Sequence, residues 1–174
     1  GECVLDLFYG VDYHSHLGTR RGGMATHGES GFSRAIHNIE NSPFRTKFDK
    51  DLNELKGNLG VGHVRYSTAG ATRVENAMPL VINYVKGTLA IAHNGNLVNA
   101  NILKQELEDQ GSIFSSTSDT EVLGHLIKRQ EGHMIDRICA SLDKLDGAFA
   151  FLVMLEGRIY ACLLYTSDAA DDKA

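Results

Sequence analysis

Residues 89–96 read Leu-Ala-Ile-Ala-His-Asn-Gly-Asn, in which four small or apolar residues run directly into a polar segment. This run predicts a buried strand that delivers His93, Asn94 and Gly95 to one edge of the core. Asn-Gly is first of all a turn signal, because both residues tolerate positive φ. It also places a side-chain amide beside a glycine N–H, two donors that can converge on one oxygen as in an oxyanion hole. Both interpretations stay open on this run alone.

The composition is that of an ordinary globular domain. The chain has 174 residues, 43% of them hydrophobic and 22% charged, which suits one domain with its own core. A net charge of −5 without a basic cluster argues against nucleic-acid binding. No apolar run approaches the roughly 20 residues of a membrane span, and no secretory signal is visible. With three widely spaced cysteines, we expect a reduced, cytoplasmic protein that does not contact a membrane.

Apolar runs and turn signals divide the chain into short elements. Strands are predicted at residues 3–9, 20–25, 31–38, 59–66, 80–85, 88–92, 148–155 and 158–161. Helices are predicted at residues 12–17, 43–57, 99–111, 118–127 and 135–145. The fourth helix begins with Ser118 and Glu121, spaced as in a capping box. Because the strands occur in adjacent runs, the predicted class is α+β, with antiparallel sheets packed face to face and helices outside.

Cys3 lies almost at the start of the chain, in a predicted strand. A strand cysteine is most often a small buried hydrophobic residue. Removal of Gly1 and Glu2 would instead give Cys3 a free α-amine, with a reference pKa of about 7.7–8.0. That amine could accept the thiol proton and later return it, so that one residue would supply both nucleophile and base.

Two charged residues lie next to predicted polar turns. Arg65 follows an apolar strand, where it is either a surface arginine or a bidentate partner for a carboxylate. Asp119 lies in the first turn of a predicted helix, where a carboxylate is favourable on structural grounds alone. The Asp119 carboxylate could equally bind the ammonium group of a ligand. An amino-acid ligand needs one partner of each kind, and this chain offers both.

Five motifs follow one another in a fixed order: Cys3, Arg21-Gly22, Gly-His-Val-Arg-Tyr-Ser-Thr-Ala-Gly at 62–70, His-Asn-Gly-Asn-Leu-Val-Asn-Ala at 93–100, and Ser-Asp-Thr-Glu at 118–121. This order resembles the glutaminase domain of the glutamine phosphoribosylpyrophosphate amidotransferase family. These are class II amidotransferases with the N-terminal-nucleophile hydrolase fold, so the resemblance implies a four-layer αββα sandwich with two mainly antiparallel sheets. The resemblance covers about residues 3–161. The run at 62–70 favours the purine enzymes over aminosugar-forming relatives, which usually have His-Thr-Arg-Trp there.

The resemblance implies a role for each matching residue. The catalytic residues would be the nucleophile Cys3 and two oxyanion donors, the Asn94 side chain and the Gly95 backbone N–H. The substrate-binding residues would be Arg65 for the α-carboxylate, Asp119 for the α-ammonium, and Arg21, Gly22 and Thr68 along the same pocket. No metal site is implied in this domain. Mg²⁺ and, in some members, an iron–sulfur cluster belong to the full-length enzyme.

The implied activity is hydrolysis of L-glutamine to glutamate and ammonia through a cysteinyl thioester. In the intact enzyme, a homo-oligomer, the ammonia would react with phosphoribosyl pyrophosphate to make 5-phosphoribosylamine for purine synthesis. The phosphoribosyltransferase domain that carries out this second step is absent from the sequence. Residues 1–2 resemble the end of a short propeptide. Residues 162–174 resemble translated adaptor sequence, and a natural acidic tail is the alternative.

Three residues near the predicted nucleophile depart from the family pattern. Val4 follows Cys3 where the family commonly has Cys-Gly, and Arg20 and Gly23 flank Arg21-Gly22 where it commonly reads His-Arg-Gly-Gln. These departures keep two alternatives open. One is a catalytically silent amidotransferase-like module that binds or regulates a partner. The other is a different class II amidotransferase, of the aminosugar- or asparagine-forming kind.

Overall fold

The computed structural model describes residues 2–18, 20–65, 76–84, 87–155 and 157–164. The helices are α1 (Val4–His14), α2 (Phe44–Phe48), α3 (Ala100–Asp109), α4 (Thr120–Arg129) and α5 (Met134–Leu142), with 3₁₀ turns at Ser15–Leu17 and Asp51–Asn53. The strands are β1 (Arg21–Gly28), β2 (Gly31–Asn38), β3 (Leu59–Arg65), β4 (Leu80–Tyr84), β5 (Gly87–Leu97), β6 (Gly147–Leu155) and β7 (Arg158–Leu164). Within the described ranges, every helix is too short or too polar to span a membrane.

The strands form two antiparallel sheets. Sheet A has the order β2-β1-β3, and sheet B has the order β4-β5-β6-β7. In sheet A, Arg21 of β1 lies opposite Arg65 of β3. In sheet B, His93 of β5 lies opposite Phe151 of β6. These registers determine which side chains share a face, because successive residues of a strand point to opposite sides.

Three apolar clusters divide the molecule into four layers. A small cluster that includes Ala25, Val61, Ala90 and Met154 fills the space between the two sheets. The outer face of sheet A packs against α1 and α2 through residues such as Val4, Phe8, Met24, Phe44 and Phe48. The outer face of sheet B packs against α3, α4 and α5 through residues such as Ile91, Leu103, Leu123, Ile138 and Phe151. The predicted αββα sandwich with two antiparallel sheets is therefore confirmed.

The predicted strand at residues 3–9 is wrong, because these residues begin helix α1. Val4 and Phe8 are buried, and Leu7 and Val11 pack against the same cluster. Positions 4, 7, 8 and 11 are one face of a helix with 3.6 residues per turn. The helical period was thus present in the sequence, but the continuous apolar run from residue 3 concealed it.

The turn interpretation of Asn94-Gly95 is also wrong. Strand β5 continues through both residues to Leu97, and Gly95 lies opposite Phe149 of β6. Gly95 has φ +139°, and a Cβ atom there would contact the Ala148 carbonyl and lie 2.8 Å from the Phe149 Cα. The glycine therefore permits the close approach of two strands, in a conformation that other residues rarely adopt.

The predicted C-terminal boundary at residue 161 falls within β7. That strand runs on to Leu164, with Cys162 opposite Phe151 and Leu163 opposite Ala150. Residues 165–174, which make up most of the predicted non-native tail at 162–174, lie outside the described residues.

Glu121 does not form the predicted capping box with Ser118. Its carboxylate accepts hydrogen bonds from the backbone N–H and hydroxyl groups of Ser115 and Ser116, at 2.6–2.9 Å. The residue is only 2% exposed. Burial acts to raise the pKa of Glu121, but contacts with His125, Ser115 and Ser116 prevail and lower it to about 2. The carboxylate thus anchors the loop before α4 in its charged form.

We expect Glu121→Gln to destabilise the fold at pH 7, because it removes a charge to which four donors point. A pKa lowered from 4.5 to about 2 corresponds to on the order of 3 kcal/mol of folding stability above pH 4.5. Because the folded-state pKa is lowered, this contribution disappears as the pH falls from about 4.5 to about 2. Urea unfolding at several pH values would measure it. Glu108→Gln, at an exposed site on α3, is the matched control, and an equal effect of both variants would contradict the assignment.

Candidate functional site

A pocket of about 410 Å³ opens at the Arg65 end of β3, between that strand, β5 and the start of α4. Its lining includes four residues predicted from the sequence, Arg65, Asn94, Gly95 and Asp119. It also includes His63 and His93, to which the sequence analysis assigned no role. The volume lies in the range of small-molecule sites. Tertiary folding therefore brings together a guanidinium, a carboxylate, a side-chain amide and two imidazoles.

Strand alternation explains how these side chains reach one place. Val61 of β3 packs between the sheets, so His63 and Arg65, two and four residues later, share its face. On β5, Ala90 packs between the sheets, so Asn94 lies on that inner side. His93 points to the opposite side, where its ring stacks on Phe151 with centroids 4.2 Å apart.

Arg65 is held by a segment that joins the two sides of the pocket. Its Nη1 donates a hydrogen bond to the Asn76 carbonyl oxygen at 2.9 Å. The Asn76 side chain is 5% exposed and is bound to Thr117, just before α4. Asn76 Nδ2 donates to Thr117 Oγ1 at 2.8 Å, and Asn76 Oδ1 accepts the Thr117 N–H at 3.1 Å. Asn76 therefore couples the position of the guanidinium to the segment that carries Asp119.

Asp119 is oriented by a backbone donor and a histidine. Its Oδ2 accepts the Leu97 N–H at 3.2 Å, and its Oδ1 lies 3.7 Å from His93 Nδ1. The same His93 nitrogen lies 3.1 Å from Thr120 Oγ1. Burial acts to raise the pKa of Asp119, but His93 and the N–H groups of Leu97 and Thr120 prevail, so that the pKa lies below its ordinary value. The carboxylate is therefore charged at neutral pH.

His63 is an uncharged base at neutral pH. Burial lowers the pKa of His63 to about 4, and neighbouring Arg65 adds to the effect, although a hydrogen bond with the His93 backbone opposes it. The buried His93 Nε2 has no hydrogen-bond partner among the described residues. Both histidines belong to the quoted motifs, and that is the only signal in the sequence that could have marked them. Asn76 carries no such signal, because its partner lies 41 residues away.

The structure does not bring Cys3 to this pocket. Cys3 precedes α1, where its N–H donates to the Gly57 carbonyl at 2.8 Å and its Sγ would lie 3.2 Å from a Cβ placed on Gly60. Gly60 alternates with Val61, so this thiol lies on the helix side of sheet A. The five steps along the strand from Gly60 to Arg65 span roughly 16 Å. Cys3 thus lies on the other face of the sheet and toward the far end of β3.

The environment of Cys3 also disfavours the thiolate. Burial raises the pKa of the Cys3 thiol above its ordinary value, and the charges of Asp6 and Glu2 add to this rise, although a backbone hydrogen bond opposes it. A thiol is activated by a lowered pKa or by an adjacent base. The described surroundings of Cys3 therefore differ from those of an activated nucleophile.

The other predicted site residues lie around the pocket or outside the description. Arg21, the first residue of β1, lies opposite Arg65 of β3. Gly22 lies on the helix side, where a Cβ atom would be 2.7 Å from the Phe44 ring, so packing explains this glycine. At Gly23, a Cβ atom would collide with the Met78 carbonyl, so only glycine fits this backbone contact. Thr68 lies outside the described residues.

No group of three or more His, Cys, Asp or Glu residues in the described parts of the chain is arranged to hold a metal ion.

Comparison with known proteins places this geometry in a family. A glutamine amidotransferase domain model matches residues 63–164. The amidophosphoribosyltransferase of Bacillus subtilis is 46% identical over 166 residues, which cover 93% of this chain and 34% of the relative. That of Lacticaseibacillus casei is 49% identical over 113 residues, covering 64% of this chain and 58% of the relative. The chain thus spans only about a third of the Bacillus relative.

Solved structures agree with the sequence comparison. A structure described as the allosteric regulatory enzyme of purine biosynthesis superposes with a TM-score of 0.83 at 41% identity, covering 92% of this chain and 34% of that one. The B. subtilis glutamine phosphoribosylpyrophosphate amidotransferase, complexed with ADP and GMP, superposes with a TM-score of 0.81 at 40% identity and the same coverage. The fold is that of the N-terminal-nucleophile hydrolases. Because the domain model matches more than half of its residues, the chain belongs to the glutamine amidotransferase domain family.

Proposed function

We propose that the chain is the glutaminase part of an amidophosphoribosyltransferase and that its pocket binds L-glutamine. The observation that carries the proposal is the convergence of Arg65, Asn94, Gly95 and Asp119 on one pocket. Arg65 would bind the α-carboxylate and Asp119 the α-ammonium. A free amino acid carries these two charges on one carbon, and the pocket offers an opposite charge for each. The similarity to curated amidophosphoribosyltransferases supports the same assignment.

The side-chain amide of glutamine would then lie near Asn94 and Gly95. The reaction begins with attack on the amide carbon, which moves negative charge onto the carbonyl oxygen. The Asn94 side chain and the Gly95 N–H would stabilise that oxygen, and such donors each contribute about 10²–10³-fold to the rate. The proton of the attacking group would pass to the departing ammonia, which leaves an acyl-enzyme, and water would convert the acyl-enzyme to glutamate. Arg21, Gly22 and Thr68 would contribute to the walls of the pocket.

The described geometry separates Cys3 from the two oxyanion donors. Cys3 stays the residue predicted from the sequence, but its thiol lies beside Gly60 rather than beside Asn94. This observation favours a second candidate, a module that binds glutamine without hydrolysing it unless another group supplies the nucleophile. Parallel measurements of glutamine binding and ammonia release distinguish the two.

The whole enzyme extends the proposal beyond this chain. Ammonia from the pocket would react with phosphoribosyl pyrophosphate in the phosphoribosyltransferase domain and give 5-phosphoribosylamine for purine biosynthesis. We place the enzyme in the cytoplasm, as a homo-oligomer when full length. Mg²⁺ and, in some members of the family, an iron–sulfur cluster would belong to the full-length enzyme.

Asp119→Asn should weaken glutamine binding about 100-fold, because it leaves the ligand ammonium without a partner of opposite charge in a partly buried site. Arg65→Lys keeps the charge but loses the bidentate guanidinium, so we expect a loss of about tenfold. Titration calorimetry with L-glutamine would measure the dissociation constants. Arg158→Lys, an exposed change on β7, is the control and should leave binding unchanged. Unaltered affinity in both site variants would contradict the assigned orientation of glutamine.

Asn76→Ala should weaken glutamine binding about tenfold by releasing Arg65 from its position, even though Asn76 itself would not touch the ligand. The decisive measurement is a double-mutant cycle with Arg65→Lys. If Asn76 acts through Arg65, its substitution has little further effect once the guanidinium is gone. Independent, additive losses of affinity would show that Asn76 only stabilises the fold.

Cys3→Ala in the intact enzyme should retain ammonia release within about threefold of the unmodified protein, because the described thiol is remote from the oxyanion donors. Cys139→Ala, at an exposed position, is the matched control. A loss of ammonia release with unchanged glutamine affinity in Cys3→Ala alone would establish Cys3 as the nucleophile, and the region before α1 would then have to rearrange.

A further inference from the structure

A second cavity lies at the end of sheet B that is remote from the glutamine pocket. It has a volume of about 260 Å³, and its walls combine two arginines, two tyrosines and two apolar side chains: Arg137, Arg158, Tyr84, Tyr160, Met134 and Leu155. Gly87, the first residue of β5, also lines it, whereas Asn94 of the glutamine pocket lies seven steps along that strand, roughly 23 Å away. The two cavities share no described lining residue, so the proposed glutaminase reaction does not use this one.

Arg137 brings a buried charge to the wall of this cavity, since the residue is only 5% exposed. Its Nε and Nη2 both donate to the Ile127 carbonyl, at 3.1 and 2.7 Å, near the C-terminal end of α4. This carbonyl and the dipole of α4 offset part of the positive charge. Arg137 forms no ion pair with a described residue, and its Nη1 forms no hydrogen bond with one. A buried guanidinium without a carboxylate partner favours an anion in the cavity that it lines.

Other cations surround the same cavity. Arg158, the first residue of β7, likewise forms no ion pair within the described part of the chain. Lys128 Nζ lies 5.9 Å from the centroid of the Tyr84 ring, and Arg137 Cζ lies at the same distance from it. Every described residue that lines the cavity is either cationic or uncharged. In a chain with a net charge of −5, this local excess of positive charge indicates a site for an anion.

The chemistry of the walls indicates which class of anion fits. Guanidinium groups bind phosphate oxygens through paired hydrogen bonds, for which their planar fork is better suited than a lysine ammonium. The hydroxyls of Tyr84 and Tyr160 form no hydrogen bond with a described residue, so both can donate to a ligand. The remaining wall is apolar, formed by Met134, Leu155 and the two tyrosine rings. A ligand that matches both parts carries a phosphate group on an apolar or planar organic group.

We propose that this cavity binds a small phosphomonoester. The phosphate lies between Arg137 and Arg158, where the Nη1 group of Arg137 is not used by the contact with Ile127. The organic group lies against the rings of Tyr84 and Tyr160. Because the site shares no described lining residue with the glutamine pocket, it does not depend on the assignment of glutamine.

Titration calorimetry of the full 174-residue chain with phenyl phosphate tests the proposal. We expect saturable binding with a dissociation constant below about 1 mM. Inorganic phosphate should bind at least about tenfold more weakly, because it lacks the ring that the tyrosines cover. Phenol, which lacks the phosphate, should show no saturable binding. Equal affinities for phenyl phosphate and inorganic phosphate would overturn the phosphomonoester and assign the site to the free ion. Absence of saturable binding of both would leave Arg137 as a cap of α4 and overturn the proposal.

Variants locate the bound phosphate. Arg158→Gln, at an exposed position, should weaken phenyl phosphate binding at least about tenfold, because charge-assisted hydrogen bonds are lost. Arg137→Gln should weaken it at least as much, but this variant also loses the contact with Ile127, so the exposed variant keeps the test valid if it unfolds. Lys47→Gln, an exposed change on α2, removes the same charge and should leave binding unchanged. Equal losses in Lys47→Gln and Arg158→Gln would show a response to net charge alone and overturn the proposal.

Discussion

The pairing of β5 with its two neighbours is the constraint on which the rest of the molecule depends. Leu89, Ala90 and Ile91 of β5 are fully buried. Leu89 and Ile91 pack in the core beneath the helices, whereas Ala90 points the other way and packs in the core between the sheets. The strand then continues without a turn into Asn94 and Gly95. Its register against β6 thereby determines where the polar residues emerge, because a slip by one residue would turn Asn94 toward the helices.

The Arg65 guanidinium and the Asp119 carboxylate are each positioned by polar partners and not by an ion pair with each other. Within the described ranges, Arg65 donates to the Asn76 carbonyl, and Asp119 accepts from the Leu97 amide beside His93. Partly buried charges need such polar partners, since desolvation without them is costly. Because the Asn76 carbonyl and the Leu97 amide are uncharged, these hydrogen bonds leave the guanidinium and the carboxylate available to a zwitterionic ligand. The Asn76–Thr117 contact maintains their spacing across two layers of the fold.

Helix α1 explains why the pocket and the predicted nucleophile are separated. Val4 and Phe8 bury their side chains against the outer face of sheet A, which places Cys3 on that side as well. The inner face of the sheet, where His63 and Arg65 lie, is reached only past the open edge of β3.

The sequence by itself determined the α+β class, most of the strands, and four pocket residues, because alternation and the Gly-His-Val-Arg and His-Asn-Gly runs are local signals. It did not reveal that residues 4–14 form a helix, since an apolar run suits a strand or a helix until its packing partner is known. Only the tertiary structure decided that Gly22 packs on Phe44, that Asn76 holds Arg65, and that Cys3 lies on the far face of sheet A. Each of these depends on contacts between distant segments, and no local pattern of residues encodes such contacts.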